Sequence, residues 1–363
     1  MRKTLFFILL GIILSSTACQ NNKKIIEGCP CSCDQNREIK DPHTIHFLAT
    51  ADPQYNYEEM NPNKSSVINA DSISAMISRK LCCGDYRGVI ISGDLTHNSR
   101  LDEFEKYQSF IRCFKPYAFD GLGNHDYSFV GEEGPTNLQH SHEFGLDEII
   151  PGDQLYWDSA SIKIWDEIRT RKRIPAVETS FPNIHYSWDW EDVHFVQLNI
   201  YPGDKPVANK GAKNPFRGYT YLKNDLEKNV GDSGRPVVLA HHYGMDRFSR
   251  GVMEDGSINP KAQWWTANDR KKYWELLKSY NVILILTGHA HYCDECYLPW
   301  DGESIGVGNV GPDFIPTFIT GAARESKYVE CSIVGNQLTV KRYLRGEVDI
   351  EEVFEIKRGT AKK

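Results

Sequence analysis

Five short, nearly continuous apolar runs limit what this chain can fold into more than any other feature: Thr44–Thr50, Gly88–Ser92, Val193–Asn199, Pro236–Ala240 and Val282–Thr287. Each is bounded by glycine, proline or polar residues, as expected of strands buried on both faces. Between the first two runs Val67, Ile73, Met76, Ile77 and Leu81 recur at helical spacing, and after the second Leu101, Phe104, Ile111 and Phe114 do the same. Strand, helix, strand, helix predicts an α/β arrangement with helices covering both faces of the sheet structure. Past residue 290 the pattern changes. Lys327–Val334 and Gln337–Leu344, separated by Gly335 and Asn336, predict a hairpin. Two irregular stretches, 127–183 and 201–216, are rich in Trp, Gly, Pro and charge and read as coverings of a site; Ile162, Trp165 and Ile168 predict a helix inside the first.

In open α/β sheets chemistry collects beyond the carboxyl ends of the strands. Here those ends carry Asp52 and Gln54 after the first run, Asp94 after the second, and Asn124, His125 and Asp126 after Tyr117–Asp120. His241 and His242 follow the fourth run, and His289 and His291 the fifth. A lone aspartate at such a place is most often a helix cap and a lone histidine a hydrogen-bonded loop residue. Five strand ends bearing oxygen and imidazole donors, every one but that of the Val193–Asn199 run, point instead to a shared metal site.

Ordered as D-x-Q, GD, GNHD, H and GHxH, these residues resemble the calcineurin-like metallophosphoesterase superfamily, and the likeness extends from about residue 44 to 345. HYSWDWEDVHFVQLN is similar to that family's hairpin before a core strand, RGYTYLKNDL to its following helix and FITGAA to its late glycine turn. The resemblance implies a four-layer α/β/β/α sandwich of the metallo-dependent phosphatase type. It also implies two divalent metal ions and hydrolysis of a phosphomonoester or phosphodiester by a metal-bridging hydroxide. Carried over by position, metal one takes Asp52, Gln54, Asp94 and His291, and metal two takes Asp94, Asn124, His241 and His289, with Asp94 shared. His241 is favoured over His242 because it directly follows the strand where the family's single histidine falls, which leaves His242 behind it.

The resemblance makes His125 the general acid, oriented by Asp126, and leaves His97, Asn199 and Tyr243 as substrate-side residues. Two divalent cations bring four positive charges against two from Asp52 and Asp94 and one from hydroxide, a surplus that suits a phosphate anion. Manganese, zinc and iron all suit such donors, and the amide of Gln54, standing where the family usually has histidine, tilts the choice toward manganese or a mixed site. Purple acid phosphatases carry a tyrosine ligand three residues after the GD aspartate; His97 stands there, so a purple centre is not expected. The alternative to an enzyme is a protein of the same fold that binds phosphate or phosphorylated ligands through its metals without turnover.

With 42 Lys plus Arg against 49 Asp plus Glu the chain has a net charge of −7 and no basic cluster, so it lacks the electrostatic footprint of a nucleic-acid binder. A phosphate-ester substrate is the partner the chemistry calls for; no obligate protein partner is implied. Arg2 and Lys3, the apolar run Leu5–Leu14 and the small residues up to Cys19 have the order of an export signal. Small residues ending at a cysteine are similar to a bacterial lipobox, which predicts residues 1–19 as the signal, lipidation at Cys19, and a cell-envelope lipoprotein; the alternative is a secreted or periplasmic protein. Residues 20–43 then form a cysteine-containing tether, 44–345 the catalytic domain with its insertion at 127–183, and 346–363 a C-terminal tail. Export makes the remaining cysteines disulfide candidates, with Cys293 and Cys296 beside His291. We predict that Cys19→Ser moves the exported protein from the membrane to the soluble fraction, as fractionation and fatty-acid labelling would report.

Overall fold

The computed structural model describes residues 39, 41, 43–55, 63–97, 101–126, 185–205, 215, 217–291, 297–299 and 314–356. The expected export signal with Cys19, nearly all of the expected tether, the 127–183 stretch with its expected helix, and Cys293 and Cys296 lie outside the described residues. Two six-stranded sheets carry the fold. The first has the order β12-β11-β10-β1-β2-β3, with β1 (Thr44–Thr50), β2 (Tyr86–Ile91) and β3 (Ala118–Asp120) parallel and β10 (Lys327–Val334), β11 (Gln337–Leu344) and β12 (Glu347–Glu355) antiparallel beside them. The second has the order β4-β5-β6-β7-β9-β8, in which β5 (Val193–Gln197), β6 (Pro236–Ala240), β7 (Asn281–Thr287) and β9 (Phe314–Ile319) are parallel. Its antiparallel edges are β4 (Tyr186–Trp190) and β8 (Tyr297–Pro299).

Side-chain alternation along these strands builds the layers. Phe47 and Ala49 of β1, Ile90 of β2, Phe195 of β5, Val238 and Ala240 of β6 and Leu286 of β7 share one core between the sheets, with Trp188 stacked 4.3 Å from Phe119. Residues of opposite parity, Leu48, Val89, Ile91, Val237 and Leu239, face outward into helices. Helix α1 (Ser65–Cys83) meets them with Ala70, Ile73, Ile77 and Leu81; α2 is Leu101–Ile111, α3 is Gly218–Asn229 and α5 is Ala267–Leu277. The short α4 (Arg247–Arg250) is capped by Asp246, whose carboxylate accepts from the Ser249 amide at 2.9 Å. The fold is therefore the expected four-layer α/β/β/α sandwich. No described helix is long and apolar enough to cross a membrane. Cys113 is disulfide-bonded, and Cys331 is a reduced thiol buried between the sheets.

The hairpin falls where the glycine and asparagine place it, but the chain does not end the sheet at 345. The expected tail contains β12, which pairs with β11 as an edge strand. Its sequence is acidic and half exposed, so its alternation is weak: Ile350 and Phe354 pack on the intersheet core while Val348 and Val353 face outward. The irregular stretch after β5 is described over 201–205, and there Tyr201 is buried against Tyr243 rather than lying over a site.

One polar network crosses from sheet to helix. His194 of β5 has Nε2 2.7 Å from Asp225 of α3 and Nδ1 2.8 Å from Asp189, and Ser187 donates to Asp225 at 2.6 Å. Burial alone would lower the His194 pKa, but the hydrogen bonds to Asp189 and Asp225 raise it above its ordinary value. A raised imidazole pKa adds stability below the unfolded value, near 6.5, and loses it as pH rises through the folded value. We predict that His194→Ala costs about 3–5 kcal/mol, because it takes the charged partner from the buried Asp225 carboxyl and leaves it only the neutral donors Ser187 and Asn229. Urea unfolding should show the gap to native protein narrowing as the pH is raised.

Candidate metal centre

The carboxyl ends of the parallel strands in both sheets converge. Within one cluster the ligand atoms of Asp94, His242 and His289 lie within 4.8 Å of one another; within a second, those of Asp52, Asp94 and His291 do. Asp94 belongs to both. The carboxylates come from the first sheet, Asp52 after β1 and Asp94 after β2, and the imidazoles from the second, His242 after β6 and His289 and His291 after β7. Among the described residues only eight that are not glycine have a positive φ, and four of them are Asp52, Gln54, Asp94 and His289. Such conformations cost free energy and persist where surrounding contacts impose them. Hydrogen bonds from the Asp52 amide to Gly93 O and from the Gln54 amide to Asp94 O, both 2.9 Å, tie the two carboxylate loops together.

Asp94 is 1% exposed. Burial would raise its carboxyl pKa, but the neighbouring charges of His242 and then His125 outweigh burial and hold it far below the carboxylate range. His242 Nε2 lies 3.2 Å from Asp94 Oδ2 and 3.1 Å from Asn124 Oδ1, and its Nδ1 lies 2.7 Å from the Ser92 carbonyl. With the carbonyl holding the Nδ1–H, Nε2 carries a proton toward Asp94 and Asn124, and giving that proton up to a cation would leave its lone pair where a metal ligand needs it. His289 is 8% exposed and its Nε2 has no hydrogen-bond partner, while burial and the charge of His242 push its pKa well down. A buried, neutral imidazole nitrogen without a partner beside a carboxylate fits a divalent cation. His291 Nε2 is 3.5 Å from Asp52 Oδ1, and its Nδ1 faces Glu325 at 3.6 Å, which again orients the ring from behind.

Three expectations change. His241 does not reach the centre. It continues the outward parity of Val237 and Leu239, is fully buried, and has Nε2 3.1 Å from the Tyr273 hydroxyl of α5. Burial there lowers its pKa to about 3. His242 continues the inward parity of Val238 and Ala240 and takes the place beside Asp94. Asp126 does not orient His125: it accepts from the amides of Leu95, Thr96 and Gly123 at 3.1, 2.8 and 2.8 Å and from the Thr96 hydroxyl at 2.8 Å, bracing the loops that carry Asp94 and Asn124. Burial, then the charge of Asp94, raises the Asp126 carboxyl to about 7. His125 is anchored instead by His97, whose carbonyl lies 2.7 Å from His125 Nδ1 and whose ring stacks at 4.7 Å; the His125 amide donates to Asp94 at 2.8 Å.

Asn199 and Tyr243 are fully buried and offer no surface to a substrate. The Asn199 amide donates to His185 at 3.1 Å, and the Tyr243 ring packs 4.6 Å from His289. The wall of the site includes residues the motifs did not flag. Trp264 lies edge-on to His289 at 4.3 Å and Phe248, 40% exposed, lies 4.9 Å from it. On the opposite side Arg324, Glu325 and Lys327 follow β9: Arg324 donates to the Gln54 amide oxygen at 3.0 Å, and Lys327 bonds the His291 carbonyl and, at 2.7 Å, Glu325. Their signal was available, since β9 is another parallel strand ending at the same rim.

The profile of the calcineurin-like phosphoesterase family matches residues 45–293. Among solved structures, the fold is similar to a purple acid phosphatase from yellow lupin (Lupinus luteus) seeds, with a TM-score of 0.53 and 14% identity, covering 86% of this chain and 54% of that one. This chain therefore spans about half the length of the lupin protein. A looser likeness, TM-score 0.41 and 12% identity over 86% of this chain and 89% of the other, is to GAP50, the anchor in the inner membrane complex of Plasmodium. No curated protein sequence matches the chain.

The packing makes Gly123 indispensable, because a Cβ there would overlap both Asp94 Oδ1 and the Asp94 amide nitrogen. We predict that His242→Ala and Gly123→Ala each lower bound metal, read as moles of metal per mole of protein by elemental analysis, whereas His241→Ala keeps the metal and lowers the melting temperature.

Proposed function

This chain belongs to the calcineurin-like phosphoesterase family, and on that footing we propose that it is a dinuclear metal-dependent hydrolase of phosphate esters. The observation that carries the reading is the pair of ligand clusters sharing Asp94. Asp52, Asp94 and His291 would hold one divalent cation, and Asp94, Asn124, His242 and His289 the other; manganese, zinc or iron suits these donors. When bound, the cations supply Lewis acidity to the phosphoryl oxygens and make water acidic enough to attack phosphorus near neutral pH.

The chain's own residues do the rest. Asp94, braced through Asp126 and Gly123, fixes the spacing of the two clusters. His125, whose Nδ1–H donates to the His97 carbonyl, leaves Nε2 to face the site, and it would act as an acid there in its doubly protonated form. Hydroxide, the water's proton already lost to solvent, would join its oxygen to phosphorus while the P–O bond to the leaving oxygen breaks with its electron pair on that oxygen, and the imidazolium of His125 would supply the proton that neutralises it. Phe248 and Trp264 beside His289 suit a leaving group with a ring or an apolar portion. The export signal and the Cys113 disulfide support an enzyme of the cell envelope, tethered at Cys19.

The competing reading, capture of phosphate without turnover, draws on the engagement of Gln54 by Arg324. One experiment separates them. Full-length protein loaded with manganese should hydrolyse aryl phosphates faster than methyl phosphate, lose activity to a chelator and regain it with metal, and lose at least about 100-fold in kcat through Asp94→Asn. Phe248→Ala should narrow the aryl-to-methyl preference. Phosphate binding with no turnover of any ester across manganese, zinc and iron would establish the binder instead.

A further inference from the structure

The three imidazoles at the centre are not held alike. His242 is fully buried, and His289 is packed by the rings of Tyr243, Phe248 and Trp264. The side chain of His291 keeps 29% of its surface exposed, and charged groups hold it: Nε2 lies 3.5 Å from Asp52 Oδ1 and Nδ1 lies 3.6 Å from Glu325 Oε1. Glu325 is held in turn by Lys327, whose Nζ stands 2.7 Å from Glu325 Oε2 and also donates to the His291 carbonyl. One ammonium therefore fixes this ligand at both ends, its backbone directly and its ring through the carboxylate.

The chain is built to deliver that ammonium. Gly321 has a φ of +78°, and a Cβ there would come within 2.4 Å of Lys327 Cβ, so glycine is what lets the lysine stem pass. Lys327 opens β10 opposite Leu344, and its carbonyl accepts from the Thr50 hydroxyl at 3.1 Å. The turn before it closes through the Glu325 and Lys327 amides, which donate to Ala322 O at 2.9 and 3.2 Å. Both side chains thus start from backbone fastened to β1, the strand that leads to Asp52. The ligand atoms of Asp52, Asp94 and His291 close on one another without Glu325, which stands behind the ring.

Resting on the dinuclear reading, we propose that Glu325 and Lys327 are positioning residues for His291, which set the affinity of the cation held by Asp52, Asp94 and His291 and leave the other cation alone. A carboxylate at Nδ1 keeps the ring proton there, so that the Nε2 lone pair is the one offered to a metal; outer partners of this kind are worth about 10–100-fold in metal affinity. Coulomb's law makes the two residues unequal tests. Removing Glu325 removes a negative charge, which weakens a nearby cation whether or not the ring turns. Removing Lys327 removes a positive charge, which by charge alone would tighten the cation, whereas loss of positioning loosens it. The sign of the Lys327 effect therefore separates positioning from a simple field.

The test uses full-length protein and manganese, with ions per chain from elemental analysis, the affinity of each ion from calorimetry, and the melting temperature of the metal-free protein. Lys327→Met, which keeps the stem beside Gly321, and Glu325→Ala are each expected to weaken one manganese ion by about 10–100-fold. The second ion and the metal-free melting temperature should stay near their native values. Asp52→Asn, which removes a ligand of that one ion, marks which ion it is. Glu325→Gln, which keeps an acceptor for the Nδ1–H without the charge, should fall between native and Glu325→Ala. The double variant should lose less than the product of the two single effects, because both act through one ring. Tighter or unchanged manganese in Lys327→Met, or equal weakening of both ions, would overturn the proposal. Native protein that takes up a single ion would sink the dinuclear reading; the proposal would then stand if Lys327→Met weakens that ion and fall if it does not. Native protein that holds two ions yet cleaves no ester would sink the enzyme reading alone, because none of these readouts is turnover.

Discussion

A single buried carboxylate organises this molecule. Placing the charge of Asp94 at 1% exposure inside a sandwich of two sheets is costly unless neighbours compensate it. The compensation comes from every side: the His125 amide on one oxygen, His242 on the other, and the unpartnered nitrogen of His289 nearby. The chain accepts local strain to achieve it. Positive φ at Asp52, Gln54, Asp94 and His289 and a glycine at 123 that leaves no room for a Cβ are costs without any packing gain of their own. They make sense only if the exact placement of Asp94 matters more than the local free energy.

The division of labour between the sheets follows from the topology. Parallel strands all open at one rim, so two such sheets face to face bring two sets of strand ends to one seam. The first sheet supplies hard oxygen donors and the second supplies imidazoles. A cation bound across that seam joins the layers, so neither sheet holds a complete site alone. The turn after β9 belongs to the second sheet by chain order, yet it is bonded to Ala51 and Asp52 of the first. It therefore reinforces the same seam from outside, and it brings Arg324 with it.

Much of this was legible in the sequence because buried strands advertise themselves and because donors at strand ends have few other reasons to recur. β1 and β6 and the β10–β11 hairpin fall on the residues their patterns mark. The errors share a cause: they concern which way a side chain turns, and motif order does not carry that. His241 and His242 are both possible ligands by position, but β6 is buried on both faces, so hydrophobicity gives no face to choose. Parity does: Val237 and Leu239 point to helices, and His241 goes with them. Asp126 next to His125 suggested a pair, whereas a short carboxylate surrounded by three amides satisfies the backbone first. Motif order also carries nothing of the contact between Gln54 and Arg324, which lies 270 residues later in the chain. β12 was missed because an acidic edge strand buries too little to show a period.

The protonation of the histidines shows how the site can be assembled before any cation is held. Burial would strip the protons from His242 and His291, yet the charge of Asp94 raises the first to about 9, and hydrogen bonds to Asp52 and Glu325 raise the second to about 10. Each proton thus does a cation's work, balancing a buried carboxylate and drawing the ring toward it. His289 has no such proton, since its pKa is pushed down, and it waits as a neutral donor. Exchange of protons for divalent charge then needs little movement of the protein, because the rings already stand where their lone pairs are needed. A site that is electrostatically satisfied in both states can be rigid in both, and rigidity at Asp94 is what the proposed ligation of two cations would require.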